Sequence, residues 1–392
     1  MKTKYILRYG WIAFLHNLAP GDTLVKAQVN TDADFDYLVS FLPVGWQKKA
    51  RELGALRRCR KIPDAATLLR ILLLHLTEGC SLRETSVRIK RGGIADVSDV
   101  TIMDRLRVSG EWLRWMSVEL MRNWITKQPD VVFGSRRRVR LVDGTRVKEP
   151  GPTGSSWCVH YSVELPTLRC CELHVQDKHG SGETFKKFDI RENDLMIGDR
   201  AYGTVPSIFH VTDSGGDVLV RFGWNLLPLW NRDGSRFDLF GHLRSLRGTK
   251  FGDWEVVIKD GQRQQKGRVC AIKKSRQATE AARKKVKRAA QKHGSETQPE
   301  TLEAAGYVMV FTTLDKNELG TGDALNLYRG RWQIELVFKR LKSLLGFGHL
   351  RKKDVTGARA WLHGKLLAAF LVEALLRQGE ALSPWGYIVP QA

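Results

Sequence analysis

From Val131 onward the chain abandons helical periodicity for alternation, and the order of the segments that follow leaves few folds open. The runs RRRVRLVDGTRV, WCVHYSVELPT and CCELHVQDKHG alternate polar and apolar residues as three consecutive strands do. A helix is expected around Glu183–Glu192, and DLMIGDRAYG then reads as a buried strand ending in a carboxylate. The order β-β-β-α-β places Asp143 inside the first strand and Asp199 at the end of the fourth. From about Thr204 to Ala305 the pattern breaks into strand-like pieces (GDVLVRF, KFGDWEVVIKD, GRVCAIKK) between Gly- and Asp-rich turns. It resumes with an apolar strand at Gly306–Leu314, a helix from about Asp323 to Leu345 and a last apolar helix over Gly357–Leu376. The expected division is therefore a helical region over residues 1–130, an α/β core in two parts (131–204 and 306–392), and a β-rich basic insertion over 205–305.

Ahead of the strands, helix starts are marked by capping residues. Asp64 precedes AATLLRILLLHLTEG, Ser81 with Glu84 forms a capping box before LRETSVRIKR, and Ser98-Asp99 precede VTIMDRLRVSGEWLRWMSVELMRNWI. Arg83, Arg88, Lys90, Arg91, Arg105 and Arg107 cluster here. Two readings fit: a small DNA-binding module, or an ordinary helical bundle with a solvated basic face.

The charge balance points to a polyanionic partner. Against 42 Asp and Glu stand 64 Lys and Arg, a formal +22, and nucleic acid is the commonest partner of such a surface. Half of that excess lies between Arg263 and His293, where 12 cations face the single acid Glu280. This segment reads as a phosphate-tracking arm or as a solvated helix. Six scattered cysteines show no zinc-ligand spacing and suit a reducing, cytoplasmic setting. Ala65–Leu76 and Ala360–Leu376 are too short or too charged to span a bilayer, so no membrane role is expected.

The segment NLYRGRWQIELVFKRLKSLLG carries two faces. At about 100° per residue, Tyr328, Arg331, Glu335 and Lys342 fall in a stripe roughly 60° wide, opposite Ile334, Val337, Phe338, Leu341, Leu344 and Leu345. Arg331 and Glu335 at i, i+4 could form a mere surface ion pair. Their position after the last core strand argues for more, because a third carboxylate there can converge with Asp143 and Asp199. Carboxylates from separate elements suffice to hold Mg²⁺, and two such ions about 3.5–4 Å apart activate water and stabilise a leaving oxygen in phosphodiester cleavage.

Tyr328, Arg331, Glu335 and Lys342 stand as Y-x₂-R-x₃-E-x₆-K, which resembles the YREK signature of the IS-four group of bacterial insertion-sequence transposases. LVDGT around Asp143 and IGDRAYG around Asp199 resemble that family's two aspartate motifs, and LVRFGWN, with Arg221 and Asn225, the block beyond the second. The likeness spans roughly residues 60–375. It implies a ribonuclease-H-like core split by a β-rich insertion, with an N-terminal helical DNA-binding region. It also implies metal-dependent cleavage at terminal inverted repeats and strand transfer into target DNA. Asp143, Asp199 and Glu335 would be the catalytic acids and ligands of two Mg²⁺ or Mn²⁺ ions. Tyr328, Arg331 and Lys342 would contact double-stranded DNA, with Arg200, Arg221 and Trp224 as further candidates. A homodimer in a synaptic complex is implied as well. An insertion-domain aromatic stacks on a flipped base in the family; Trp224, Trp230 and Trp254 are all available for that. Two other functions share these residues: a DNA-binding protein descended from a transposase that no longer cuts, and a ribonuclease-H-like nuclease that cleaves without joining.

Overall fold

The computed structural model describes residues 31–77, 79–122, 137–151, 156–165, 167–177, 182–292, 294–351 and 354–382. Residues 1–30, the 130/131 boundary and His179 lie outside the described residues. The chain forms two compact units. One holds the described residues of Met1–Trp124, Arg146–Cys158 and Phe338–Ala392, and the other those of Ile125–Thr145 and Val159–Val337.

The first unit is mostly helical: α1 (Thr31–Val39), α2 (Trp46–Glu52), α3 (Ala65–Thr77), α4 (Leu82–Arg91), α5 (Asp99–Val108) and α6 (Gly110–Arg122). The three expected caps form. Asp64 accepts from the Thr67 N–H at 2.7 Å, Ser81 from Glu84 at 3.1 Å and Ser98 from Thr101 at 3.2 Å. The long helix expected after Ser98 is instead α5 and α6. Its break is at Ser109, whose hydroxyl bonds back to the Arg105 carbonyl at 2.7 Å just before Gly110. Trp112 is wholly buried, stacks on Trp46 and donates its Nε1–H to the Trp46 carbonyl at 2.8 Å, tying α6 to α2.

The second unit holds most of a sheet in the order β3-β2-β1-β4-β5-β8-β7-β6, the last residues of β1 and the first of β2 being counted with the first unit. Its strands are β1 (Arg138–Lys148), β2 (Ser156–Glu164), β3 (Arg169–Gln176), β4 (Asp194–Gly198), β5 (Asp217–Arg221), β6 (Phe251–Asp260), β7 (Arg263–Lys273) and β8 (Tyr307–Thr312). Between them run α7 (Val205–Asp213), α8 (Leu239–Ser245), α9 (Arg276–Lys292) and α10 (Pro299–Ala304). β1, β4 and β5 are mutually parallel, whereas β8, β7 and β6 add on antiparallel. This is a ribonuclease-H-like core split by a β-rich insertion, with the inserted strands continuing the core sheet.

Two local expectations change. The helix expected over Glu183–Glu192 is a single 3₁₀ turn, Phe185–Lys187. Phe185 and Phe188, three apart and both buried, pin that turn to the core and leave no second turn to build. GDVLVRF, read as the first piece of the insertion, is β5 and lies beside β4. A short all-apolar strand looks alike in either place.

After β8 the chain forms α11 (Thr321–Gly330) and α12 (Trp332–Leu344), where one continuous helix was expected. The break is at Arg331. Its N–H bonds to the Tyr328 carbonyl at 3.1 Å, and the Ile334 N–H bonds to its own carbonyl at 3.2 Å, so one turn is wound tighter than α-helix. The chain then ends its described part with α13 (Val355–Leu382), which packs on α6, α5 and α3 within the helical unit. Gly364 allows that approach, since a Cβ there would run into Leu76. Among the described residues no helix is long and apolar enough to cross a membrane.

Candidate active site

The parallel strands set the site by register alone. Leu141 lies opposite Ile197, so two residues further along both strands Asp143 is level with Asp199. Gly198 lies opposite Val220, so the next step brings Asp199 level with Arg221. All three residues are only partly covered, although β1 becomes buried again beyond Asp143 at Thr145 and Val147. β1 is buried from Val139 to Val142 and opens at Asp143, β4 is buried throughout, and β5 opens at Arg221. The row is acid, acid and cation: Asp143 midway along the long β1, Asp199 just past the end of β4 and Arg221 at the end of β5. It thus lies at the carboxyl ends of β4 and β5, where open α/β sheets bind ligands.

Neighbouring backbone N–H groups hold both acids. Asp143 accepts from the Gly144 N–H at 2.8 Å, and Asp199 from the Ala201 N–H at 2.8 Å. The chain folds back after Asp199 so closely that a Cβ on Gly203 would come within 2.5 Å of the Arg221 carbonyl oxygen. That explains why DRAYG needs its glycine.

Arg331, at the break between α11 and α12, brings the helix-borne acid in. One guanidinium nitrogen donates to Asp143 at 3.3 Å and the other to Glu335. Its ring-facing contact with Tyr328 is 5.9 Å to the centroid. Arg331 Nε is buried and has no hydrogen-bond partner among the described residues. Glu335 sits in the first turn of α12, where the helix dipole favours a negative charge.

The electrostatics show how closely these groups are gathered. Burial pushes the Asp143 carboxyl up to about 6, opposed by the Gly144 N–H and Arg331 and reinforced by the Asp199 and Glu335 charges. Burial raises the Tyr328 phenol, with Arg331 and Arg221 pulling the other way. Desolvation and then Arg221 lower Arg200, whose charge also feels Asp199 and Tyr328. Lys274 is lowered by burial and then by Arg221 and Arg200. Lys274 is the residue that sequence reasoning missed. It lies in the basic run after β7, with no pattern of its own to single it out.

Among the described residues none of the other candidates makes a hydrogen bond or ion pair with this group. Lys342 stands two turns beyond Glu335 on α12, exposed, in the part of that helix belonging to the helical unit. Trp224 is half-buried against Phe240 and donates Nε1–H to Thr301 at 3.2 Å. Trp230 lies between Lys259 and Arg236, each 4.4 Å from its ring, and Trp254 packs beside Phe237 and His242. Asp194 lies at the opposite end of β4 from Asp199, held by two guanidinium nitrogens of Arg138 at 2.6 Å and by Arg140. Among the described residues no three His, Cys, Asp or Glu side chains converge as a metal-holding group. Arg331 bridges two of the three acids instead.

Residues 134–371 match the family model described as the transposase DDE domain. The chain is 34% identical over 334 residues to the putative transposase InsL for insertion sequence element IS186A of Escherichia coli (strain K12), covering 84% of this chain and 89% of that protein. It is 33% identical over 335 residues to the transposase for insertion sequence element IS421 of Escherichia coli, with the same coverage of both chains. A match to the domain model over more than half of the chain, together with relatives aligned along most of its length, establishes that this protein belongs to the DDE insertion-sequence transposases.

Proposed function

We propose that this chain is a transposase of the YREK type that cuts DNA at the terminal inverted repeats of its element and joins the freed 3′-hydroxyl to target DNA. The observation that carries the proposal is the level placement of Asp143 and Asp199 on adjacent parallel strands, with Glu335 drawn to the same group through Arg331. A hard divalent cation suits this donor set. The three side chains are carboxylates, and Asp143 is buried beside two other negative charges that such an ion would offset. Asp143, Asp199 and Glu335 would hold Mg²⁺ or Mn²⁺, two ions in the full site, which would supply an activated water and charge stabilisation at the leaving oxygen.

The chain's own residues do the rest. Arg331 has a buried N–H without a partner among the described residues and a guanidinium whose geometry suits phosphate, so it grips the backbone at the cleaved bond. Tyr328 shields that contact from one side, and Arg200 and Arg221 carry the positive charge across the row beyond Asp199. Lys342 adds a phosphate contact two turns along α12. The N-terminal helices would bind the element end, and β6 to α10 would form the working part of the insertion. Two copies would pair the two ends in a synaptic homodimer. Trp224 would have to give up its bond to Thr301 to stack on a base.

An in vitro reaction on the element's own ends with Mg²⁺ tests the proposal. Nicking at the repeat termini followed by a strand-transfer product is the expected outcome. Binding without nicking in a preparation that folds would leave a DNA-binding protein descended from a transposase. Hydrolysis without joining would leave a nuclease.

A further inference from the structure

The cationic side of the site continues past Arg221. Arg221 lies opposite Val310 on β8, and Val310 opposite Cys270 on β7. Followed toward the edge that carries Asp143 and Asp199, this pairing brings Tyr307 against Lys273, and the Lys274 N–H donates to the Gly306 carbonyl at 2.9 Å. One edge of the sheet thus bears the acids, then Arg221, then Lys273 and Lys274. From there the chain passes directly into α9.

α9 is built to stay outside. It has 17 residues and none is buried. Thr279, Ala282, Val286 and Ala290, at i, i+3, i+7 and i+11, are the positions partly covered, and they form the seam by which the helix is attached. Arg283 adds a tie, donating Nε–H to the Leu302 carbonyl at 3.0 Å. Away from the seam Lys284, Lys287 and Arg288 line a shallow concavity with Glu280, Arg283 and Gln291. The one acid, Glu280, is engaged by Arg276 at 3.1 Å. Among the described residues Lys284, Lys287 and Arg288 make no ion pair or hydrogen bond. Like charges three and four residues apart on a helix oppose its formation, and a polyanion laid along the face would relieve them.

We infer that the outer face of α9, with Lys274 at its base, is a second DNA-binding surface that carries the duplex backbone away from the active site. The inference rests on the reading that the site acts on DNA. At about 1.5 Å per residue the helix is roughly 25 Å long. That matches about seven base pairs of duplex at 3.4 Å each.

The test uses the full chain and fluorescence anisotropy with two duplexes. One spans only the cleavage site, and the other extends about ten base pairs further. The variant is K284Q/K287Q/R288Q. For the longer duplex its plot of log affinity against log salt should be shallower by about 2 to 3, since each phosphate contact contributes about 0.9. The affinity lost between about 50 and 200 mM salt should accordingly shrink roughly 40-fold. The short duplex should distinguish the two proteins little. The set K284R/K287R/R288K should restore the slope. Should the triple variant fail to fold, the three single Gln variants carry the test, each expected to lower the slope by about 0.9. Unchanged slopes, or polyglutamate competing as well as duplex of equal charge, would overturn the inference. Asp143→Asn protein should keep the wild-type slope, so a failure here is separable from a failure to cleave.

Discussion

Asp143 and Asp199 are held by a sheet and Glu335 by a helix, and these supports place a carboxylate with different freedom. The strand acids are fixed by a register that many backbone hydrogen bonds share, so neither can shift without moving its neighbour. Glu335 sits one turn past a tightened break, with its side chain 47% exposed against 14% for Asp143. It reaches the others through one arginine. The sheet acts as a fixed jaw, and the helix as an adjustable one.

The largest effects should expose that difference directly. Asp143→Asn, Asp199→Asn and Glu335→Gln should each lower cleavage on the order of a thousandfold or more, because a bound metal supplies several kcal/mol and each 1.4 kcal/mol is tenfold. Changing chain length while keeping charge should split the set. Asp143→Glu and Asp199→Glu should be as inactive as the Asn variants. Glu335→Asp should retain on the order of a hundredth to a tenth of the rate, since α12 can yield where strands cannot. Single-turnover nicking measures this, and Asp143→Glu outperforming Glu335→Asp would reverse the assignment of fixed and adjustable sides.

The same contrast marks what could be read from the residues. Asp143 and Asp199 were legible because strand alternation and order bring them to one edge whatever the loops do. The partners on the helix were legible as a stripe, but the stripe assumed an unbroken helix. Gly330 allows a break there without requiring one, and only the packed structure winds the turn at Arg331 tighter. β5 was misplaced because five apolar-centred residues carry no mark of which sheet neighbour they choose. Lys274 was hidden among a dozen cations for the same reason: position in the sheet, rather than residue type, sets it apart.

Sheet and helix also respond alike to acid, at one position in each. His160 on β2 and His363 on α13 are both buried. Burial and then Lys187 lower His160 to about 4, and burial followed by Arg114 and Arg359 lowers His363 to about 3. In the unfolded chain both would titrate at about 6.5. Their folded values lie below that, so the unfolded state binds more protons as pH falls from about 6.5, and stability is lost in that direction. At pH 5 each should cost about 2 kcal/mol. Asp143, raised to about 6 in the folded chain, opposes this by about 1.4 kcal/mol over the same range. Thermal melts between pH 7.5 and 5 should therefore still show the midpoint falling, and His363→Gln should remove most of the net dependence. A midpoint flat across that range would mean the imidazoles are protonated or exposed.

The smallest predicted effect is the one that tests how the adjustable jaw is held. Arg331 gives hydrogen bonds to Asp143 and Glu335, the two acids that would also bind metal. Guanidinium and a bound metal would therefore compete for the same oxygens. A charge-assisted hydrogen bond contributes about 1.5–3 kcal/mol, so removing it should tighten metal binding about tenfold or somewhat more. Calorimetric titration of DNA-free protein with Mn²⁺ should find Arg331→Ala tighter than wild type and Arg331→Lys between them. Adding a duplex bearing the element end should raise wild-type affinity for Mn²⁺, because phosphate draws the guanidinium away from the carboxylates. It should leave Arg331→Ala nearly unchanged. Weaker Mn²⁺ binding in Arg331→Ala would mean the arginine orders the acids for the ion instead of competing with it, and Glu335 would then be as rigidly placed as the two aspartates.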